Sequence, residues 1–212
     1  MRPLRVALSS LVVVTATIVL APPAAACKSP TSPIVLDLNG DGIGTSNLLS
    51  SPVHFDLDGD GRAEQAGWTS QYDSDGFLWL DRNGNGVPDS GRELFGDATE
   101  LSDGTMAANG FMAIAEYDSQ PLGGNGDDEI TAADAIYPFL RVWTDRNHNG
   151  QLDTGEDQSL SDLHIAVLSL KYDRSHMVDG CMNLHRFKSR YIMRNDKRSF
   201  SREMTDIFFQ TR

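Results

Sequence analysis

The 212-residue chain carries 30 acidic against 18 basic side chains, giving a formal net charge of −12, with 40% hydrophobic residues and two cysteines. The excess is uneven: residues 27–170 hold 25 acidic and 6 basic side chains, whereas residues 171–212 hold 5 and 10. An acidic body of this kind repels phosphates, which argues against nucleic acid as a partner, and repels itself unless divalent cations neutralise it.

The first residues read as an export signal. Arg2 and Arg5 precede the apolar run Val6–Leu20, Pro22-Pro23 breaks it, and Ala24-Ala25-Ala26 offers the small-x-small pattern of a cleavage site. The run is short for a bilayer span, and no second stretch is long enough to be one. Residues 1–26 are therefore expected to be removed on export to the periplasm, the cell surface or the medium. What remains, 27–212, suits one domain with its own core. Cys27 then stands at or near the mature N-terminus. It could pair with Cys181, the only other cysteine, or carry lipid as the end of a lipobox. The even cysteine count favours the disulfide, as does Ala24, where a lipobox usually has an aliphatic residue; both fates stay open.

Short strands are predicted at PIVL (33–36), PVHF (52–55) and GFLWL (76–80), each feeding an Asp-rich loop. From Arg92 the apolar period becomes helical. RELFGDATEL and MAANGFMAIAEYD place Leu94, Phe95, Phe111, Ile114 and Ala115 at helical intervals. A further helix is predicted over 132–143, with Ile136, Phe139, Leu140 and Trp143 on one stripe. LHIAVLSLKY (163–172) reads as a strand, and the tail as two strands joined at Asn195-Asp196, a turn-forming pair. The expected fold is α+β: N-terminal short strands with Asp-rich calcium loops, central helices with an EF-hand-like pair at about 107–157, and a C-terminal β-hairpin within 163–212.

The stretch DRNHNGQLDTGE (145–156) carries the strongest chemical signal. A hard cation such as Ca²⁺ takes six to eight oxygens at roughly 2.3–2.6 Å, and a glycine at the sixth loop position supplies the backbone turn. Asp145, Asn147 and Asn149 alternate ahead of Gly150. Gln151 would offer its carbonyl, Asp153 would bind directly or through water, and Glu156 would close the cage with both oxygens. A solvated turn rarely meets all these constraints at once. At DRNGNG the residues Asp81, Asn83, Asn85, the Val87 carbonyl and Asp89 fit the same pattern. Glu93 falls at the thirteenth place, Arg92 takes the twelfth, and Pro88 lacks an N–H, so an altered geometry is expected.

Asp56, Asp58, Asp60 and Glu64 surround Gly61 in a dense acidic loop that a metal would relieve, whereas Asp37, Asn39 and Asp41 match only the first half of the pattern. Both loops follow predicted strands, unlike a standard EF-hand. Asp73 and Asp75 are too short a signal to separate from a turn. The loop at Asn125 reads as a damaged partner of the one at Asp145: Asn125, Asp127 and Asp134 fit, Asp128 replaces the glycine, and Asp118 could take the first place only by looping out SQPLG. Its simplest role is an inert scaffold.

Other chemistries find less support. The five histidines show no zinc-helix spacing, and Ser175-His176 has no nucleophile context. A propeller needs evenly spaced repeats, but the loops start irregularly at 37, 56, 81 and 145. A dockerin-like module needs two near-identical helix-following loops, and only one loop is whole. The basic tail reads most simply as a solvated hairpin.

Taken in order, PIVLDLNGDGI, FDLDGDGRAEQAGW, GFLWLDRNGNGVPDSGRELFGD, ANGFMAIAEYDS and LRVWTDRNHNGQLDTGE resemble the calcium-dependent self-processing module of iron-regulated repeats-in-toxin proteins and related exported EF-hand proteins. The resemblance spans roughly 33–172. It implies calcium-induced folding, then autocatalytic cleavage of an Asp-Pro bond just before the first Asp loop. The matching bond here is Ser32-Pro33, and no Asp-Pro dipeptide occurs in the chain. The attacking carboxylate is missing, so self-processing is expected to be absent. The resulting expectation is an exported domain that binds several Ca²⁺ ions, with affinities of about 10⁻⁵–10⁻³ M. Its role would be binding or structural, and a protein or surface partner is left unidentified.

Overall fold

The structure is a computed structural model that describes residues 29–195 and 197–212. The expected signal peptide (1–26), its cleavage site and Cys27 lie outside the described residues, so neither fate of that thiol is placed. The Cys181 sulfur lies 3.4 Å from the Thr45 carbonyl, to which it donates. Among the described residues no helix is long and apolar enough to cross a membrane.

The architecture is antiparallel β. In chain order the strands are β1 (Ile34–Leu36), β2 (Val53–Phe55), β3 (Glu64–Ala66), β4 (Gly76–Trp79), β5 (Glu129–Thr131), β6 (Arg141–Trp143), β7 (Asp157–Ser159), β8 (Ile165–Ser169), β9 (Asp173–Val178), β10 (Leu184–Asn195) and β11 (Arg198–Phe208). They form one sheet in the order β5-β8-β10-β11-β1-β4-β6-β7, with β9 also on β10, and a separate β2-β3 pair. The long strands β10 and β11 form the spine, in register from Leu184↔Phe208 to Asn195↔Arg198 with one irregularity between His185 and Phe187.

The central strands bury both faces, which explains their composition. On β1, Ile34 and Leu36 face one apolar cluster while Val35 faces the other. Leu78 of β4 and Val142 of β6 join the first cluster, and Phe77, Trp79 and Trp143 join the second. The second cluster is aromatic: Trp68 lies 4.4 Å from Phe77 and 5.6 Å from Trp143 between ring centroids.

The expected α+β class is overturned. Among the described residues the one α-helix, α1, spans six residues, Gly110–Ala115, and the remaining helical segments are three-residue 3₁₀ turns. Asn109 caps α1 by accepting from the Met112 N–H at 2.9 Å, and Phe111 and Ile114 point into the core. The expected helix over 132–143 becomes a turn at Tyr137–Phe139 and then strand β6. Pro138 cannot continue a helix, and Leu140 turns extended with ψ 137°. A strand buried on both faces shows no alternation, so LRVW passes for the apolar stripe of a helix. Residues 92–100, also expected to be helical, are turns and single bridges such as Trp79↔Leu94. The EF-hand pair therefore does not exist. The loop at Asp145 joins β6 to β7, which pair antiparallel through Trp143↔Asp157 and Arg141↔Ser159.

Leu78 is fully buried between these layers. Leu78→Ala should lower unfolding free energy by about 2–5 kcal/mol in urea titrations; a loss below about 1 kcal/mol would contradict the double-sided burial of β4.

Candidate metal centres

The loop at Asp145 is organised around two buried carboxylates. Asp145 accepts from Asn149 N–H at 3.1 Å and Gly150 N–H at 2.8 Å, and its second oxygen also receives the Trp68 indole N–H at 2.9 Å. Burial pushes its pKa up, and the nearby Glu156 adds to the rise. Glu156 accepts from Arg146 N–H at 2.9 Å with one oxygen and from Asp153 N–H at 3.0 Å with the other. Asn147 and Asn149 both turn their side chains to Asp153, at 2.7 and 2.8 Å, and those bonds hold its pKa low. Gly150 has φ +71°, a conformation that side chains resist.

The loop at Asp81, which joins β4 to the turn at Ser90, repeats the arrangement. Asp81 accepts from Gly84 and Gly86 N–H at 2.8 and 3.0 Å. Asn83 and Asn85 reach Asp89 at 3.2 and 2.6 Å. Glu93, one residue later than the standard closing position, accepts from Arg82 N–H at 3.0 Å with one oxygen and Asp89 N–H at 3.1 Å with the other. Burial raises its pKa. Arg92, at the standard place, points away and donates to the Gly59 carbonyl.

In the loop at Asp56, between β2 and β3, Asp56 accepts from Gly61 N–H at 3.0 Å, and Glu64 accepts from Leu57 and Asp58 N–H at 3.1 and 3.2 Å. Asp58 and Asp60 accept from Asp60 and Arg62 N–H. Oxygens of Asp56, Asp58 and Glu64 lie within 4.8 Å of one another. These three loops meet: Asp56 and Gly61, Val87 and Asp89, and Gly150 and Gln151 line a single cleft of about 500 Å³.

The half-matching loop at Asp37 leaves the end of β1. Asp37 accepts from Gly40 and Gly42 N–H at 2.6 and 3.1 Å, Asn39 accepts from Asp41 N–H, and the Asn39 side chain donates to Asp73 at 2.9 Å. The segment expected to be an inert scaffold is built like the others. Residues 119–123 do loop out, and Asp118 accepts from Gly126 and Asp128 N–H at 2.8 and 2.9 Å. Asp134 accepts from Asn125 and Thr131 N–H at 3.3 and 2.7 Å, as Glu156 does in its own loop. Asp128, in place of the glycine, takes φ +65°. Asp118 thus takes the first place by the looping-out of SQPLG that the sequence allowed, and Asp134 stands where its spacing placed it.

Residues 34–210 match the model of the SPM domain, the self-processing module. The chain belongs to that family. It is also 45% identical over 141 residues to the iron-regulated protein FrpA of Neisseria meningitidis serogroup C, a match that covers 66% of this chain and 12% of that protein. In this SPM domain the residue before Pro33 is Ser32, which is buried at the entry to β1. Its N–H donates to Asp97 at 2.8 Å, and its hydroxyl oxygen accepts from Asp97 N–H at 3.2 Å. Nearby Asp206, fully buried on β11, accepts from Gly110 N–H at 3.2 Å. Burial pushes its pKa up to about 7, partly offset by the Ser32 hydroxyl and the Gly110 N–H.

The folded pKa of Asp206 lies above its ordinary 3.8. Its contribution to stability is therefore fully present below about pH 4 and is lost as pH rises toward 7. The total loss is on the order of 4 kcal/mol. Asp206→Asn should remove this component, so that the variant gains stability over the parent at pH 8 relative to pH 4.5. Equal pH slopes of the two urea midpoints, at saturating calcium, would contradict the burial of an acid here.

Proposed function

We propose that this SPM domain is an exported calcium-binding module in which several Ca²⁺ ions fix strand-flanked loops and so stabilise the fold, in a binding or structural role. The observation that carries this reading is a shared construction. A leading aspartate caps the first turn of each loop, and in the loops at Asp56, Asp81, Asp118 and Asp145 a buried carboxylate folds back onto the same loop. Glu64, Glu93, Asp134 and Glu156 are between 2% and 6% exposed. Carboxylates held this close repel unless a cation sits between them.

The donors fit a hard cation. They are carboxylate, amide and carbonyl oxygens, with neither sulfur nor imidazole among the expected ligands, which suits Ca²⁺ rather than Zn²⁺. Asp56 Oδ1 is buried without a hydrogen-bond partner beside Asp58 and Glu64, as expected of an oxygen aimed at an ion. Asp145, Asn147, Asn149, Gln151, Asp153 and Glu156 would hold one ion. Asp81, Asn83, Asn85, Val87, Asp89 and Glu93 would hold a second, and Asp56, Asp58, Asp60 and Glu64 a third. The ions supply charge neutralisation; the chain supplies the preformed turns.

Self-cleavage is not part of this reading. The Ser32 side chain offers a hydroxyl where an attacking carboxylate would be needed, and it is occupied by Asp97.

Calcium titration of the chain lacking residues 1–26 should raise the melting temperature. An ion with a dissociation constant near 10⁻⁵ M adds about 2.7 kcal/mol at 1 mM. A melting curve indifferent to calcium and chelator would sink the proposal. Mass spectra before and after calcium should be identical; a new fragment beginning at Pro33 would show that cleavage persists without the aspartate. Glu156→Gln should lower calcium affinity at its own loop by at least tenfold, read by calorimetry.

A further inference from the structure

We infer that the loop at Asp37 is a complete divalent-cation site whose missing half is donated by Asp73 and Asp75, from the segment that enters β4. The inference rests on the calcium reading above and adds ligands that no single-loop pattern contains.

Each of the other four loops closes with a buried carboxylate from its own segment. The loop at Asp37 has none: after Asp41 the next acidic residue in the chain is Asp56, which leads its own loop. The sheet supplies the substitute. Strands β1 and β4 pair antiparallel with Leu36 opposite Gly76, so Asp37 and Asp75 leave the same end of the ladder side by side. Asp75 Oδ2 accepts from Gly44 N–H at 2.7 Å, tying it to the far end of the Asp37 loop as Glu156 is tied to Asp153. Asp75 is 2% exposed, comparable with Glu93 and Glu156.

Asp75 Oδ1 is buried and has no hydrogen-bond partner. Its carboxylate feels the charges of Asp73, Asp37 and Asp41, which places it among the other three acids. Asp73 reaches the same point from outside: it receives the Asn39 amide, and its Oδ2 lies 2.5 Å from where a Cβ on Gly44 would stand. Asp37 and Asp75 thus leave neighbouring strand ends, Asp73 is hydrogen-bonded to Asn39 of the Asp37 loop, and the charges of Asp37, Asp41 and Asp73 all bear on Asp75. Like charges opposite one another across a ladder are destabilising, and a buried carboxylate oxygen without a donor is costly. One divalent cation removes both penalties. The donors are all oxygen, so the ion is of the Ca²⁺ class, and a cleft of about 290 Å³ lined by Asp41, Gly44 and Asp73 gives it a route in. Such an ion would clamp β1 to β4 at the centre of the sheet, which no ion within one loop can do.

Native mass spectrometry of the chain lacking residues 1–26, in volatile buffer with calcium at the lowest concentration that fills the parent, counts the ions bound. Asp75→Asn should bind one ion fewer than the parent, and Glu156→Gln should lose a different one, so that the double variant loses two. Asp73→Asn, at a half-exposed position, should weaken the same ion at least tenfold and serves as the readout if circular dichroism shows Asp75→Asn unfolded. Unchanged ion count and affinity in Asp75→Asn and Asp73→Asn would overturn this site while leaving the other loops intact. A parent that binds no calcium would overturn the general reading and this one together.

Discussion

The constraint on which the molecule depends is electrostatic. Acidic side chains stand at the ends of strands too short to hold their position alone. Strands β1, β4 and β6 contribute three or four residues each, and Asp37, Asp81 and Asp145 follow within two residues of their last positions. The ladder carries the carboxylates into proximity, and burial then denies them the water that would screen their repulsion. A leading aspartate whose oxygens are tied to backbone N–H groups is half satisfied by the turn itself. Oxygens such as Asp56 Oδ1 and Asp75 Oδ1 stay buried without a hydrogen-bond partner, and in the reading proposed above they are what an ion would take up.

The double-sided sheet makes this economical in sequence. Because β1, β4 and β6 bury both faces, their side chains are spoken for by the two apolar clusters, and polar function is confined to what leaves their ends. The loops at Asp81 and Asp145, leaving β4 and β6, meet the Asp56 loop of the β2-β3 pair at one cleft although the three start up to 89 residues apart. Trp68 connects the layers: its ring packs among Phe77, Trp143 and Phe209, and its N–H is spent on Asp145. Core packing and the expected ligand are thereby fixed by the same residue.

The loops were legible because their chemistry is local. Alternating Asp and Asn ahead of a glycine, with a closing acid after it, fits within about a dozen residues, and the strands at PIVL and GFLWL lie at β1 and β4. The surrounding fold was less legible for a physical reason. A helix stripe and a strand buried on both faces give the same apolar run, and the EF-hand pattern supplies a helix by association that the chain does not form. Pro138, in the middle of the expected helix, was the local evidence against it. Asp37 with Asp75 was obscure for a different reason. The pair is separated by a ladder, and that distance is not written in local spacing.

Flanking the loops with strands rather than helices changes what an ion can do. In a helix–loop–helix unit, occupancy can be relayed as a change in the angle between two rods. Here Asp145 and Asp157 bracket a hairpin whose strands are already hydrogen-bonded, so the loop has little freedom to reorient. Tyr191, on the long strand β10, fixes the Asp37 carbonyl with a bond of 2.6 Å, and Asp37 N–H donates to Glu203 on β11. The base of that loop is therefore welded to the spine from both sides. An ion held against so rigid a frame would return its binding energy as stability instead of motion, so the calcium proposed above would act as a structural component of the fold rather than as a signal that the domain reports.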